Sequence, residues 1–252
     1  MPAARESLLD AAYTALADRP WTAVRMVEVA AAAGVSRQTL YNEFGSKEGL
    51  ARALVRRETD NCLAGVARAL SRRAPSGGIR GEAAGGGRGD AAGRVVAAAA
   101  WTLRSARANP LVRAALTGCW GDRLPPAPTA PAGPAPGGAP RPGVPAPRAA
   151  TPGEGPLPGP AEFVGRFCDQ AVAALRPGWP EEELPALGSA CETAARLTLS
   201  WVLAPPAAGA AAAPERVPRR RPSREPDTEA VSHLVRSAFL RMTAGGRPAD
   251  GG

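Results

Sequence analysis

The stretch Ala30–Leu50, AAAAGVSRQTLYNEFGSKEGL, decides how this chain is read. Small apolar residues break at Gly34, a short polar segment follows, and a second break comes at Gly45. Glycine accepts the left-handed backbone that ends a helix, so each break reads as a helix C-terminus. Ser36 suits the N-cap of a helix over Arg37–Phe44, and Ser46 the N-cap of a longer one running to about Arg73. Within Arg37–Phe44, Leu40 and Phe44 stand four apart and face inward, together with Val35 in the turn. Arg37, Gln38, Thr39, Tyr41 and Asn42 are left mostly outward. The bland alternative is a solvated helix face, but turn, cap residues and spacing agree with one another.

Working outward, Leu9, Ala12, Tyr13 and Leu16 fall at i, i+3, i+4 and i+7, which predicts a helix over 4–17 stopped by Arg19-Pro20. Met26, Val29, Ala30 and Ala33 repeat that spacing and predict a helix over 23–33. Two short helices joined by a tight Gly-containing turn make a helix-turn-helix, spanning about Arg25 to Phe44. A helix of this diameter fits the major groove of duplex DNA, where its N-terminal residues reach base edges. Arg37 and Gln38 are the candidates for reading bases, since Arg pairs with guanine and Gln with adenine through two hydrogen bonds. Thr39 and Asn42 share the same face. Ser36, Tyr41 and Lys47 are placed to touch phosphates, and Lys47 opens a helix whose free N–H groups favour an anion.

At these residues the sequence resembles the DNA-binding domain of the TetR/AcrR family of bacterial transcriptional regulators. The resemblance covers about residues 4–56. It lies in Gly34-Val35-Ser36, Leu40-Tyr41, Phe44 and Ser46-Lys47-Glu48-Gly49-Leu50. Members usually carry Ser or Thr where the second helix starts; here Val24-Arg25 hold that place and Thr22 stands a little earlier as a candidate cap. The resemblance implies a repressor that dimerises through its last two helices and leaves DNA when a small, lipophilic effector binds its C-terminal domain.

The remaining sequence is helical where it is regular. Expected helices run over 94–108, 162–175, 181–202 and 227–242, with a short one after Pro110. Leu187, Cys191, Ala194, Thr198 and Trp201 form one stripe, and Val231, Leu234, Val235, Ala238 and Met242 another. Between them, 74–93 is Gly-rich, 125–160 holds 14 prolines, and 205–226 is rich in Ala, Pro and Arg. Such segments form no central strand or long helix, and read as disordered insertions. The fold expected is therefore all-α. It has a helix-turn-helix domain over 1–56, a helical effector-binding and dimerisation domain over 57–244 with linkers at about 74–93, 121–160 and 205–226, and a disordered tail over 245–252. Trp101, Trp120 and Trp201 are candidate ligand-binding residues, with plain core the commoner role for aromatics at helical spacing.

The formal net charge is +8, but residues 1–67 hold 8 basic and 8 acidic side chains. Bulk charge therefore says little about DNA binding. The run Arg219-Arg220-Arg221 reads as a solvated charge run rather than an extra DNA-contacting arm. The four cysteines, Cys62, Cys119, Cys168 and Cys191, are widely spaced and read as reduced thiols of a cytoplasmic protein. No apolar stretch approaches the ~20 residues of a membrane span, so no membrane association is expected. With one histidine and no cysteine cluster, no metal site is expected; no cofactor is called for, and no nucleophile–base or carboxylate pair points to an enzyme. The expected partners are double-stranded DNA with a pseudo-palindromic operator, a second copy of the chain joined through helices 181–202 and 227–242, and the effector. The alternative is a DNA-binding regulator without an effector, controlled by a protein partner on its Pro-rich segment.

Overall fold

A computed structural model describes residues 2–72, 86–125, 159–204 and 226–244. Nine α-helices and three short 3-10 turns make up the regular structure of the described residues, with no strand among them. The helices are α1 (Pro2–Asp18), α2 (Met26–Ala32), α3 (Arg37–Phe44), α4 (Lys47–Ser71), α5 (Gly86–Ala108), α6 (Pro110–Thr117), α7 (Pro160–Leu175), α8 (Leu184–Leu203) and α9 (Pro226–Ala244). The all-α expectation holds.

The chain divides into two compact units, the first Met1–Glu58 with Gly118–Pro158, the second Thr59–Thr117 with Gly159–Gly252. In the first, Leu8, Leu9, Ala12 and Leu16 of α1, Val29 and Ala30 of α2, Leu40 and Phe44 of α3, and Leu50 and Leu54 of α4 share a core. Helix α2 starts three residues later than its apolar spacing predicts. Trp21–Ala23 form a 3-10 turn, and Val24 follows in extended backbone with its side chain buried. The N-cap of α2 is Arg25, without a side-chain cap hydrogen bond, so Thr22 does not cap it.

Arg57, on α4, ties this unit together. Its guanidinium lies 2.6 Å from Asp10, 3.6 Å from Glu6 and 2.8 Å from Glu58. Burial, reinforced by the charge of Glu58, pushes the Tyr13 phenol above its ordinary value.

In the second unit α8 lies at the centre, packed against α7, α9 and α5. Its stripe of Leu187, Cys191, Ala194 and Thr198 is fully buried as expected, while Trp201 is half-buried and Val202 takes the last core place. On α9 the core face is Val231, Val235 and Phe239, spaced at i, i+4 and i+8. Leu234 and Met242, expected on that face, are 44% and 37% exposed. At 100° per residue the two stripes adjoin, and Phe239, the larger ring, occupies the core.

Helix α5 corrects the linker expected over 74–93, since residues 86–93 are its first two turns. Ala91 and Ala92 are buried there as part of the apolar core. Small side chains let helices approach closely, and tertiary burial outweighs the low helix propensity of glycine. Likewise Pro160 opens α7 instead of closing a linker, a position where its missing N–H costs nothing. The segments 73–85, 126–158, 205–225 and 245–252, with the Arg219–Arg221 run, lie outside the described residues.

Arg94 of α5 joins two helix ends. Its Nε donates to the carbonyl of Leu70 in the last turn of α4, and an Nη donates to that of Ala174 at the end of α7, 2.9 Å away. Carbonyls left unpaired at helix C-termini carry partial negative charge and favour a cation there.

Candidate nucleic-acid interface

The turn between α2 and α3 is built by its backbone. Gly34 has φ +68°, its N–H donates to the Ala31 carbonyl, and the Val35 N–H donates to that of Ala30. This pair of bonds is a Schellman motif, which requires the left-handed residue that glycine supplies. Ser36 follows in extended conformation, and its Oγ accepts the Thr39 backbone N–H at 3.0 Å. The Thr39 hydroxyl lies 2.9 Å from the same Oγ, so Thr39 is engaged with the cap.

Helix α3 then divides into two faces. Leu40 is fully buried and Phe44 is 9% exposed, whereas Arg37, Gln38 and Asn42 are exposed and Tyr41 is half-buried. The outward side chains form two pairs at i, i+4. The Arg37 guanidinium sits 5.3 Å over the Tyr41 ring, and Gln38 Nε2 donates to Asn42 Oδ1 at 2.8 Å. Both pairs hold the polar row in order on the helix surface.

At its far end α3 stops at Gly45, φ +69°. Ser46 caps α4, accepting the Gly49 N–H at 3.1 Å. A β-carbon on Gly49 would lie 1.9 Å from the Phe44 carbonyl oxygen, so only glycine lets the first turn of α4 close against the end of α3. Hydrogen bonds from its own backbone N–H and from Ser46 hold the Glu48 carboxyl below its ordinary value.

Lys47 opens α4, its Nζ 5.4 Å over the ring of Trp21 and donating to the Thr22 carbonyl at 3.3 Å. Burial lowers its ammonium below the usual lysine range. The sequence reading missed Trp21 and Gly49. The glycine was visible inside Ser46-Lys47-Glu48-Gly49-Leu50, but its need became apparent only from the Phe44 carbonyl.

Trp101 and Trp201 lie in the second unit. Trp101 is pinned across α4, its Nε1 donating to the Cys62 carbonyl at 3.0 Å. Trp201 lines a cavity of about 60 Å³ with Leu103, Ala106, Val202, Arg107 and Arg113. Trp120 belongs to the first unit. Among the described residues no group of three or more His, Cys, Asp or Glu is placed to hold a metal, and no helix is long and apolar enough to cross a membrane.

Residues 8–54 match the family described as bacterial regulatory proteins, tetR family. The N-terminal domain belongs to the TetR family. The HTH-type transcriptional regulator AlkX of Mycobacterium tuberculosis is 52% identical to this chain over 56 residues, 22% of this chain and 26% of that protein. An uncharacterised HTH-type transcriptional regulator of the same species is 46% identical over 56 residues, 22% of this chain and 28% of that one. The match thus spans about a quarter of the length of these curated relatives. Among solved structures, the TetR family repressor AlkX from a Dietzia strain, implicated in biodegradation of n-alkanes, aligns over 96% of this chain and 97% of that one, at 20% identity and a TM-score of 0.49. A tetR-family transcriptional regulator from Streptomyces coelicolor aligns at 17% identity over 100% of this chain and 92% of that one, with a TM-score of 0.45.

Proposed function

We propose that this protein is a sequence-specific DNA-binding transcriptional regulator, acting as a ligand-responsive dimeric repressor. The single observation that carries the reading is α3 itself, capped at Ser36, buried through Leu40 and Phe44, and turning Arg37, Gln38, Tyr41 and Asn42 outward. In this reading Arg37 and Gln38 read base edges in the major groove, Thr39 and Asn42 support them, and Ser36, Tyr41 and Lys47 meet phosphates. Two copies would place two α3 helices in successive grooves of a pseudo-palindrome, with half-sites about one turn, ~34 Å, apart. Leu234, Leu240 and Met242 of α9 and Leu203 of α8, each more than a third exposed, support pairing of these helices with a second copy.

Selection of bound duplexes from a random pool tests the reading. The expected product is a palindrome with that spacing. Arg37→Ala or Gln38→Ala should relax preference at defined bases by ~1–3 kcal/mol, while Lys47→Ala should weaken all sequences alike. An unchanged preferred site after both base-reader substitutions defeats the assignment.

Ligand response is the finer part of the reading. The cavity beside Trp201 supports it, with apolar walls and Arg107 and Arg113 among its lining residues. At about 60 Å³ it is smaller than the ~300–1,000 Å³ of ordinary small-molecule sites, so a lipophilic effector must widen it. That is a switch by population shift, requiring tighter ligand binding to the DNA-incompetent dimer. A ligand bound equally by free and DNA-bound protein would exclude it.

A further inference from the structure

We propose that residues 118–125, the segment leaving α6, are a positioning strap of the DNA-binding head, and that through Trp21 they set the Lys47 ammonium against the phosphate backbone. The proposal rests on the DNA-binding reading above. Its structural half, that the strap fixes Trp21, stands on contacts within the first unit alone.

The Trp21 N–H donates to the Arg123 carbonyl at 2.8 Å. This N–H belongs to the start of a 3-10 turn and has no partner inside it, because the turn's own bonds run from Ala23 to Pro20 and from Val24 to Trp21. A buried amide of this kind must find an acceptor elsewhere, and the strap supplies it. The strap is itself folded. The Leu124 N–H closes on the Gly121 carbonyl at 2.9 Å, and Pro125 is buried. Trp21 is only 3% exposed, so its indole is a fixed surface.

On that surface lies Lys47, held by the ring face and by one hydrogen bond to the Thr22 carbonyl. A lysine ammonium has three donors, and two remain for an anion. A lysine is otherwise a flexible point charge, and fixing it on an aromatic face removes rotamer freedom that a phosphate contact would have to remove. A residue some seventy-five positions later in sequence thereby orders a DNA-contacting cation. The strap leaves α6 through Gly118, whose φ of +71° strains any residue with a β-carbon. Gly118 thus sets the backbone direction in which the strap begins.

The test uses the full chain with Cys119–Leu124 replaced by a Gly-Ser hexapeptide, beside a Gly118→Val variant that alters only the exit from α6. Two readouts are taken. The first, independent of DNA, is hydrogen exchange at the Trp21 amide, expected to quicken at least about tenfold in both variants as the amide loses its acceptor. The second is the salt dependence of affinity for the duplex selected by the native chain. Its log–log slope should shrink by about 0.9 per head, one phosphate contact, and Lys47→Ala added to the strap variant should cause no further loss. Unchanged Trp21 exchange overturns the strap. Faster exchange with an undiminished salt slope, or with a full additional loss from Lys47→Ala, overturns its link to Lys47. If the native chain bound no duplex at all, the DNA reading and the Lys47 link would fall, while Trp21 exchange would still decide the strap.

Discussion

Trp101 lies flat where a side chain on Gly65 would be: a β-carbon at position 65 would sit 2.0 Å from the indole. The ring covers the bare backbone of α4, bonds the Cys62 carbonyl, and carries the Arg68 guanidinium 5.8 Å from its centroid. Gly65→Ala must displace the ring or the helix. It should destabilise the helical unit by about 1–3 kcal/mol, the cost of overpacking. Chemical denaturation followed by tryptophan fluorescence reads this, and a midpoint equal to that of the native chain would contradict the packing.

Ser36 caps α3 through its side chain, and its hydroxyl also engages Thr39. Ser36→Ala should cost about 1 kcal/mol through the lost cap, whereas Ser36→Asp should retain the cap. Thermal unfolding by circular dichroism distinguishes the two. Ser36→Asp should nonetheless bind DNA worse than the native chain, because it sets a carboxylate against phosphates.

Arg94 donates to the carbonyls of two helix ends. Its side chain is 17% exposed, so little solvent competes. Arg94→Lys keeps the charge but loses the planar fork, and one of the two carbonyls must go unpaired. Either Arg94→Lys or Arg94→Ala should lower stability by about 1.5–3 kcal/mol, as expected for bonds to a charged donor. Full stability of Arg94→Lys would mean that charge alone suffices.

Burial pushes the Cys191 thiol from 9.0 up to about 12, and the Cys62 and Cys168 thiols to about 11. Between pH 9 and about 11–12 the unfolded chain has lost these protons while the folded chain keeps them. The unfolded state then binds fewer protons, so stability falls as pH rises, by up to ~1.4 kcal/mol per pH unit for each such thiol. Urea unfolding at pH 9 and pH 10.5 measures the slope, which Cys191→Ala should flatten. In the same range exposed Cys119 should alkylate well before the other three.

The recognition segment was legible because its information is local. Gly34, Ser36, Leu40, Phe44 and Gly45 act within a few residues of themselves, through dihedral preference, capping and helical period. The α9 face was legible only in part, since the apolar spacing of Val231, Leu234, Val235, Phe239 and Met242 admits two adjoining faces. The glycines of 86–93 misled, because their low helix propensity is visible in sequence and the core that buries Ala91 and Ala92 is not.

By itself, then, the sequence determined that the regular structure of the described residues is helical and that a short helix between Gly34 and Gly45 turns Arg37, Gln38, Tyr41 and Asn42 outward. Period and caps are properties of neighbours along the chain. Only the tertiary structure decided that Trp101 packs on Gly65, that Arg94 closes α4 and α7, and that Arg123 supplies the acceptor for Trp21 under Lys47. Those contacts join residues tens of positions apart, and nothing in local spacing records which distant backbone group a side chain or an amide will meet.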